Sequence, residues 1–176
     1  MENEKNNLDN LSLDVTNVLC SSNLKDVSID LAELTLDSIL KNEALKSIPV
    51  VKTLLSIIET TQNISNYLFL KKIVTFLTNV KKVSAKKRKE MINKIDNSGE
   101  YKTKVGETLL NLLDKCDSTE KAAYLGTWFA AFLKGKILYG TFLCGAHIIE
   151  HVYLPDLQYF IMSDENWLMV EDAYEE

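Results

Sequence analysis

The longest apolar stretch of the chain, from Ala122 to His151, predicts a pair of helices joined by a turn. Its two halves, Ala122–Leu133 and Ile137–Ile149, are mostly apolar and are separated by Lys134-Gly135-Lys136. Each half is shorter than the roughly 20 apolar residues that a membrane-spanning helix needs. Gly135 favours a helix end, and Ser118 favours a helix start ahead of the first half. Because both halves are apolar on nearly every side, we expect this hairpin at the centre of a helical bundle.

The rest of the chain also predicts helices, with one ambiguous segment. Leu11–Leu19 alternates apolar and polar residues and fits either a short strand or a frayed helix. Six glycines and two prolines are few for the turns of an all-β or α/β protein. We therefore predict an all-α fold, a single compact bundle of about seven or eight helices. Helices are expected over Leu24–Leu40, within Ala44–Ile58 with Pro49 at a helix start, from Ser65 or Asn66 to Val80, from Ser84 to Ile95, over Lys104–Lys115, and from Pro155 onwards.

Composition divides the chain into three parts. Residues 1–22 begin with a polar, Asn-rich stretch, so we expect a mobile or loosely packed N-terminal segment. Residues 23–162 are expected to form the helical bundle domain. Residues 163–176 form an acidic C-terminal segment, in which Trp167 to Val170 is a candidate packing element.

Composition and cysteine content indicate the class and the compartment. The hydrophobic fraction of 46% and the charged fraction of 26% are ordinary for a soluble globular chain. Three widely spaced cysteines argue against a disulfide framework and favour a reducing compartment. The first ten residues, MENEKNNLDN, lack the apolar core of a signal peptide. We therefore expect a cytoplasmic protein.

Basic residues are concentrated in one segment of an acidic chain. Residues 71–104 hold eleven of the twenty lysines and arginines and three acidic residues, a local net charge of +8 in a chain of net charge −5. Arg88 falls on the same helical face as Ile92, so we expect it to point toward the core. Nucleic acid is not the expected partner, because its usual footprint is a basic domain. We predict an interaction surface made of six lysines: Lys81, Lys82, Lys86, Lys87, Lys89 and Lys94.

One motif offers metal chemistry. His147-Ile148-Ile149-Glu150-His151 matches H-x-x-E-H, the pattern of inverted zinc proteases. Histidines four residues apart share a helix face and Cys144 lies one turn earlier, so Cys144, His147 and His151 are candidate metal ligands. However, the chain has no other histidine, and only 25 residues follow the motif to supply a distant ligand. We therefore expect no metal, cofactor or catalytic site here, and interpret the histidines as helix-end residues that interact with the helix dipole or a neighbouring carboxylate.

Two segments carry a resemblance to known proteins. KIVTFLTNVKKVSAKKRKEMINKI and the later GETLLNLLDKCDSTEKAAYLGTWFAAFLKGKILYGTFLCGAHIIEHVYLPDL resemble small uncharacterised helical proteins of bacterial and phage genomes. From Phe129 to Phe142, the succession of helix, Gly-Lys-Ile turn and helix resembles the helical tellurite-resistance TerB-like domains. Those domains typically carry acidic residues at such turns for metal, whereas this turn is Lys134-Gly135-Lys136. The resemblance implies a bacterial or phage setting and transfers no functional residue.

The expected function is binding rather than catalysis. An acidic exterior with one basic face is typical of a protein that docks on a protein partner through charge complementarity. The resemblance implies a role in bacterial or phage defence or counter-defence. The alternative is a membrane-acting effector that binds anionic lipid through the basic patch and the 122–151 hairpin. Its interfacial anchors would be Tyr124, Trp128, Tyr139 and Tyr153. The sequence leaves the oligomeric state open.

Overall fold

The structure, a computed structural model, describes residues 2–26, 34–61, 63–101 and 103–163. Within these ranges all regular secondary structure is helical, which confirms the all-α prediction. Eight of the ten α-helices in this part of the chain exceed two turns, and a short 3-10 helix spans Asn23–Asp26. The α-helices are α1 Glu2–Cys20, α2 Leu36–Lys41, α3 Glu43–Lys46, α4 Pro49–Thr61, α5 Ile64–Val80, α6 Ala85–Asp96, α7 Val105–Lys115, α8 Thr119–Leu133, α9 Tyr139–His151 and α10 Leu154–Met162.

The core is centred on the crossing of α5 and α8, which form the most extensive helix pair. Phe129 of α8 is fully buried, and its ring centroid lies 5.7 Å from that of Phe76 on α5 and 5.1 Å from that of Phe142 on α9. Gly126 allows the close approach of α5, because a Cβ atom there would lie 2.9 Å from the Phe76 carbonyl oxygen. Aromatic packing and a missing side chain thus hold the two central helices together.

The predicted hairpin is present as α8 and α9. Ser118 caps α8 by accepting a hydrogen bond from the Lys121 amide at 3.2 Å, and Gly135 ends it with a φ of +75°. The expected central position is wrong for α9, however. Ile148 is 56% exposed, and Cys144 and His147 are also exposed. Helix α9 packs against α8 and α7 and therefore has only one buried side.

The ambiguous segment Leu11–Leu19 is helical and belongs to α1. Leu11, Val15, Val18 and Leu19 are buried at helical spacing, whereas Leu13 is 61% exposed. Leu13 therefore created the strand-like alternation without contributing to the core. Helix α1 packs against α4, α6 and α7, so residues 11–19 differ from the loosely packed segment expected over 1–22.

Two helix boundaries also differ from the prediction. A continuous helix over Leu24–Leu40 is wrong, because Thr35 is extended, with φ −115° and ψ 164°, and α2 begins only at Leu36. Thr35 and Ser38 form a reciprocal capping box, which favours a helix start at this point. Asn63, rather than Ser65 or Asn66, caps α5 by accepting a hydrogen bond from the Ser65 amide. The predicted packing element Trp167–Val170 lies outside the described residues.

Over the described ranges, no helix combines the length and the apolar character needed to cross a bilayer.

Candidate functional site

Helix α6 and the turn before it carry all six predicted interaction lysines. Arg88 and Ile92 have no exposed surface and define the inward side of α6. Of the lysines, Lys82, Lys86, Lys89 and Lys94 are exposed, whereas Lys81 and Lys87 are partly buried. We call this set the α6 lysine face: Lys81, Lys82, Lys86, Lys87, Lys89 and Lys94.

Arg88 is buried as predicted, and its partners are backbone carbonyls. The guanidinium donates hydrogen bonds to the carbonyl oxygens of Leu19, Ser21 and Val83. Two of these carbonyls lie at the C-terminal end of α1, where the helix dipole is negative and favours a cation. Burial lowers the pKa of Arg88 from its ordinary value, but arginine keeps its proton in proteins. Arg88 therefore fixes α6 to α1 and sets the direction of the outer lysines.

The lysines of the α6 lysine face differ in their ion pairing. Lys87 pairs with Glu90 at 3.3 Å between Nζ and Oε1. Among the described residues, no carboxylate forms an ion pair with Lys82, Lys86, Lys89 or Lys94. These four lysines therefore keep their positive charge unpaired within the described part of a chain whose net charge is −5.

A groove adjoins the α6 lysine face, between α6 and the turn from α8 to α9. It encloses 740 Å³. Lys87 and Lys94 stand on its α6 side, and Ile95, Ile137 and Leu138 supply apolar surface. Leu138 is 79% exposed, which is unusual for a leucine next to a packed core. We call this cleft the α6 groove; its lining combines apolar surface with two lysines and with two acids, Glu90 and Glu100.

A second candidate site lies at the C-terminal end of α9. The ligand-type atoms of His147, Glu150 and His151 all lie within 4.8 Å of one another. Nδ1 of His147 is 3.9 Å from Oε2 of Glu150, and Nε2 of His151 is 3.8 Å from Oε1. The two imidazole centroids are 4.1 Å apart. These three residues form the His147 cluster.

The predicted third ligand, Cys144, is not part of the His147 cluster. Cys144 precedes His151 by seven residues, which is about 10 Å along a helix axis at 1.5 Å per residue. A single ion cannot be bound by both side chains over that distance. Glu150 lies within one turn of both histidines. The third candidate ligand is therefore Glu150, where the sequence predicted Cys144.

Two lysines, Lys115 and Lys121, contact Glu150 near the C-terminal end of α9. Nζ of Lys115 is 3.3 Å from Oε1 of Glu150, whose side chain is only 13% exposed. Lys121 is buried, and its Nζ donates to the Glu150 carbonyl oxygen at 3.0 Å and to Oδ2 of Asp117 at 2.8 Å. The end of α9 is thereby joined to α7 and to the start of α8.

Sequence reasoning missed two features that the fold creates. Glu150 was visible inside the H-x-x-E-H motif, three residues after His147, and that spacing alone could have identified it as a ligand candidate. The α6 groove had no such signal, because it forms between residues far apart in sequence, such as Lys94 and Leu138.

Comparisons with known proteins return no match. No family model matches the chain, and neither the search of curated proteins nor the search of solved structures finds a significant match. The resemblance to TerB-like domains therefore stays a prediction.

Proposed function

We propose that this chain is a non-enzymatic protein that binds an acidic segment of a protein partner on the α6 lysine face and in the α6 groove. The observation that carries the proposal is the row of exposed lysines on α6 without ion-pairing carboxylates among the described residues. The bacterial or phage setting, with a role in defence or counter-defence, remains part of the proposal and rests on the sequence resemblance alone.

Charge complementarity supports an acidic partner. Lysines that lack ion-pair partners gain from an approaching carboxylate, and the attraction accelerates association at low ionic strength. Arg88 holds α6 rigidly against α1, so the lysines need little reorganisation of the backbone on binding.

Apolar surface beside the lysines supports a protein segment. Ile137 and Leu138 at the turn can receive aliphatic side chains, while Lys94 can pair with an acid next to them. A helix with leucines on one face and glutamates along its edges matches both features, since such helices dock through apolar anchors in grooves.

Fluorescence anisotropy with a labelled peptide of that design tests the proposal. We expect saturable binding to the full chain that weakens as salt is added, because exposed charges are screened. The double variant Lys86→Glu/Lys87→Glu should weaken binding by about tenfold or more, which corresponds to about 1.4 kcal/mol.

The matched control is Lys41→Glu/Lys52→Glu, which makes the same charge change at exposed lysines of α2 and α4. This control should bind the peptide like the original chain. Equal loss in both double variants, or equal binding of a scrambled peptide, would reject the proposed site. Tighter salt-sensitive binding of a DNA duplex than of the peptide would reject the choice of partner.

Membrane action is the second candidate, and exposed apolar residues on α10 favour it. Tyr159, Ile161 and Met162 are 78%, 52% and 81% exposed, and such side chains can enter the interfacial region of a bilayer. Two of the predicted interfacial anchors differ in placement: Tyr139 is buried, whereas Tyr153 is 70% exposed.

Vesicle co-sedimentation separates the two candidates. The membrane candidate requires binding to anionic vesicles that falls with salt and falls further in Ile161→Ser/Met162→Ser. Peptide binding without vesicle binding favours the protein partner.

A further inference from the structure

The His147 cluster has the donor types that zinc prefers, two imidazoles and one carboxylate. Ligand atoms bound to one tetrahedral zinc at about 2.0–2.2 Å stand about 3.3–3.5 Å apart. Nδ1 of His147 is 3.9 Å from Oε2 and Nε2 of His151 is 3.8 Å from Oε1, and with one ligand atom from each residue all separations are within 4.8 Å. Small rotations of exposed side chains can close that difference without moving the backbone.

The tautomer of His151 is set for metal binding. Nδ1 of His151 lies 2.9 Å from the His147 carbonyl oxygen. A carbonyl only accepts hydrogen bonds, so this contact requires the proton on Nδ1, and in the neutral ring Nε2 then carries the lone pair. That Nε2 is the atom facing Glu150. Metal-binding histidines usually donate their other ring nitrogen to a carbonyl or carboxylate in the same way.

Lysine contacts hold Glu150 in position. Its side chain is mostly buried, and Nζ of Lys115 lies 3.3 Å from Oε1, the oxygen that also faces Nε2 of His151. Lys121 also binds the Glu150 backbone carbonyl. The carboxylate is therefore preorganised, whereas the two histidine side chains are 71% and 59% exposed and accessible to an ion from solvent.

We propose that His147, Glu150 and His151 bind one zinc ion at the end of α9. Three protein ligands leave one position of a tetrahedral ion open to water or to a group from another molecule. Cys144 is outside this site. The inference is independent of the function proposed for the α6 lysine face.

Titration of the full chain with zinc against a chromophoric chelator tests the site. We expect one zinc per chain. His147→Ala and His151→Ala should each weaken the affinity by more than about tenfold, since even residues that only support a ligand cost that much. Cys144→Ser is the matched control and should bind zinc like the original chain. Thermal unfolding of each metal-free variant checks that the fold is kept.

Cobalt replaces zinc as a spectroscopic probe of the ligand types. Coordination by nitrogen and oxygen gives visible d–d bands without the intense sulfur-to-cobalt absorption in the near ultraviolet. No saturable zinc binding, or binding that survives both histidine variants, would overturn the proposal. A sulfur-to-cobalt band that Cys144→Ser removes would overturn it as well.

Discussion

Arg88 is the residue whose role differs most from that of its sequence neighbours. It lies in the run Lys86-Lys87-Arg88-Lys89, yet it alone of these four residues is fully buried. A planar guanidinium can donate several hydrogen bonds in fixed directions, which a lysine cannot reproduce. Arg88 uses this geometry to bind carbonyls at the end of α1 and at Val83. Its charge is therefore structural, whereas the lysines around it are available for binding.

Substituting Arg88 tests this division of roles. Arg88→Met should lower the free energy of unfolding by about 2–4 kcal/mol, because three carbonyls lose a charged donor. Lys89→Met, one residue away and exposed, should change it by less than about 0.5 kcal/mol. Urea unfolding followed by circular dichroism measures both. Similar small effects in the two variants would contradict the structural role of Arg88.

Cys116 makes stability depend on alkaline pH. Burial raises the pKa of its thiol from 9.0 to about 11. Below about pH 9 the thiol is protonated in both folded and unfolded chains, so its stabilising contribution is fully present. Between about pH 9 and about pH 11 only the unfolded state ionises, and the contribution is lost as pH rises.

The expected loss is about 2 kcal/mol of unfolding free energy. It is measured by urea unfolding of the original chain and of Cys116→Val at about pH 8 and about pH 11. Other titrating groups affect both proteins alike, so the difference between the two isolates Cys116. A difference that stays constant across this range would contradict the assignment.

At the scale of elements, the crossing of α5 and α8 depends on Gly126. Gly126→Ala should destabilise the protein by about 1–3 kcal/mol, because the added methyl group would meet the Phe76 carbonyl oxygen at 2.9 Å. Gly140→Ala should have the opposite effect, because the added Cβ has space: its nearest neighbouring atom would be Oη of Tyr101 at 3.9 Å. Alanine should therefore stabilise α9 by about 0.4–1 kcal/mol. Thermal unfolding of both variants checks the two signs, and equal signs would contradict this account of the packing.

The elements also show why some of the fold was predictable from the sequence. Ser84, Ser118 and Pro49 predicted helix starts correctly, because capping and proline effects act within one turn. Helix α1 was ambiguous, because the exposed Leu13 imitates strand alternation. The exposed side of α9 could not be predicted, because an apolar sequence does not reveal how many neighbours the helix has.

Some features of the candidate sites follow from residues close together in sequence, and others follow only from contacts between distant segments. The lysines of α6 and the H-x-x-E-H motif are local patterns, and sequence reasoning found both. The α6 groove and the support of Glu150 by Lys115 and Lys121 depend on contacts between distant segments. Such contacts follow only from the packed helices.

At the scale of the whole molecule, charge is unevenly distributed along the sequence. Residues outside 71–104 carry a net charge of −13, while that segment carries +8. Such asymmetry orients an acidic partner before contact and disfavours approach to other surfaces. We therefore expect a partner to contact α6 and the α8–α9 turn.

Amide chemical-shift mapping tests this claim most directly. The ¹⁵N-labelled full chain is titrated with the acidic amphipathic peptide, and shift changes are assigned residue by residue. Our account predicts that the largest changes fall on residues 82–96 and 135–141, and that Lys86→Glu/Lys87→Glu removes them. Changes centred on α10, or changes spread evenly over the surface, would contradict it.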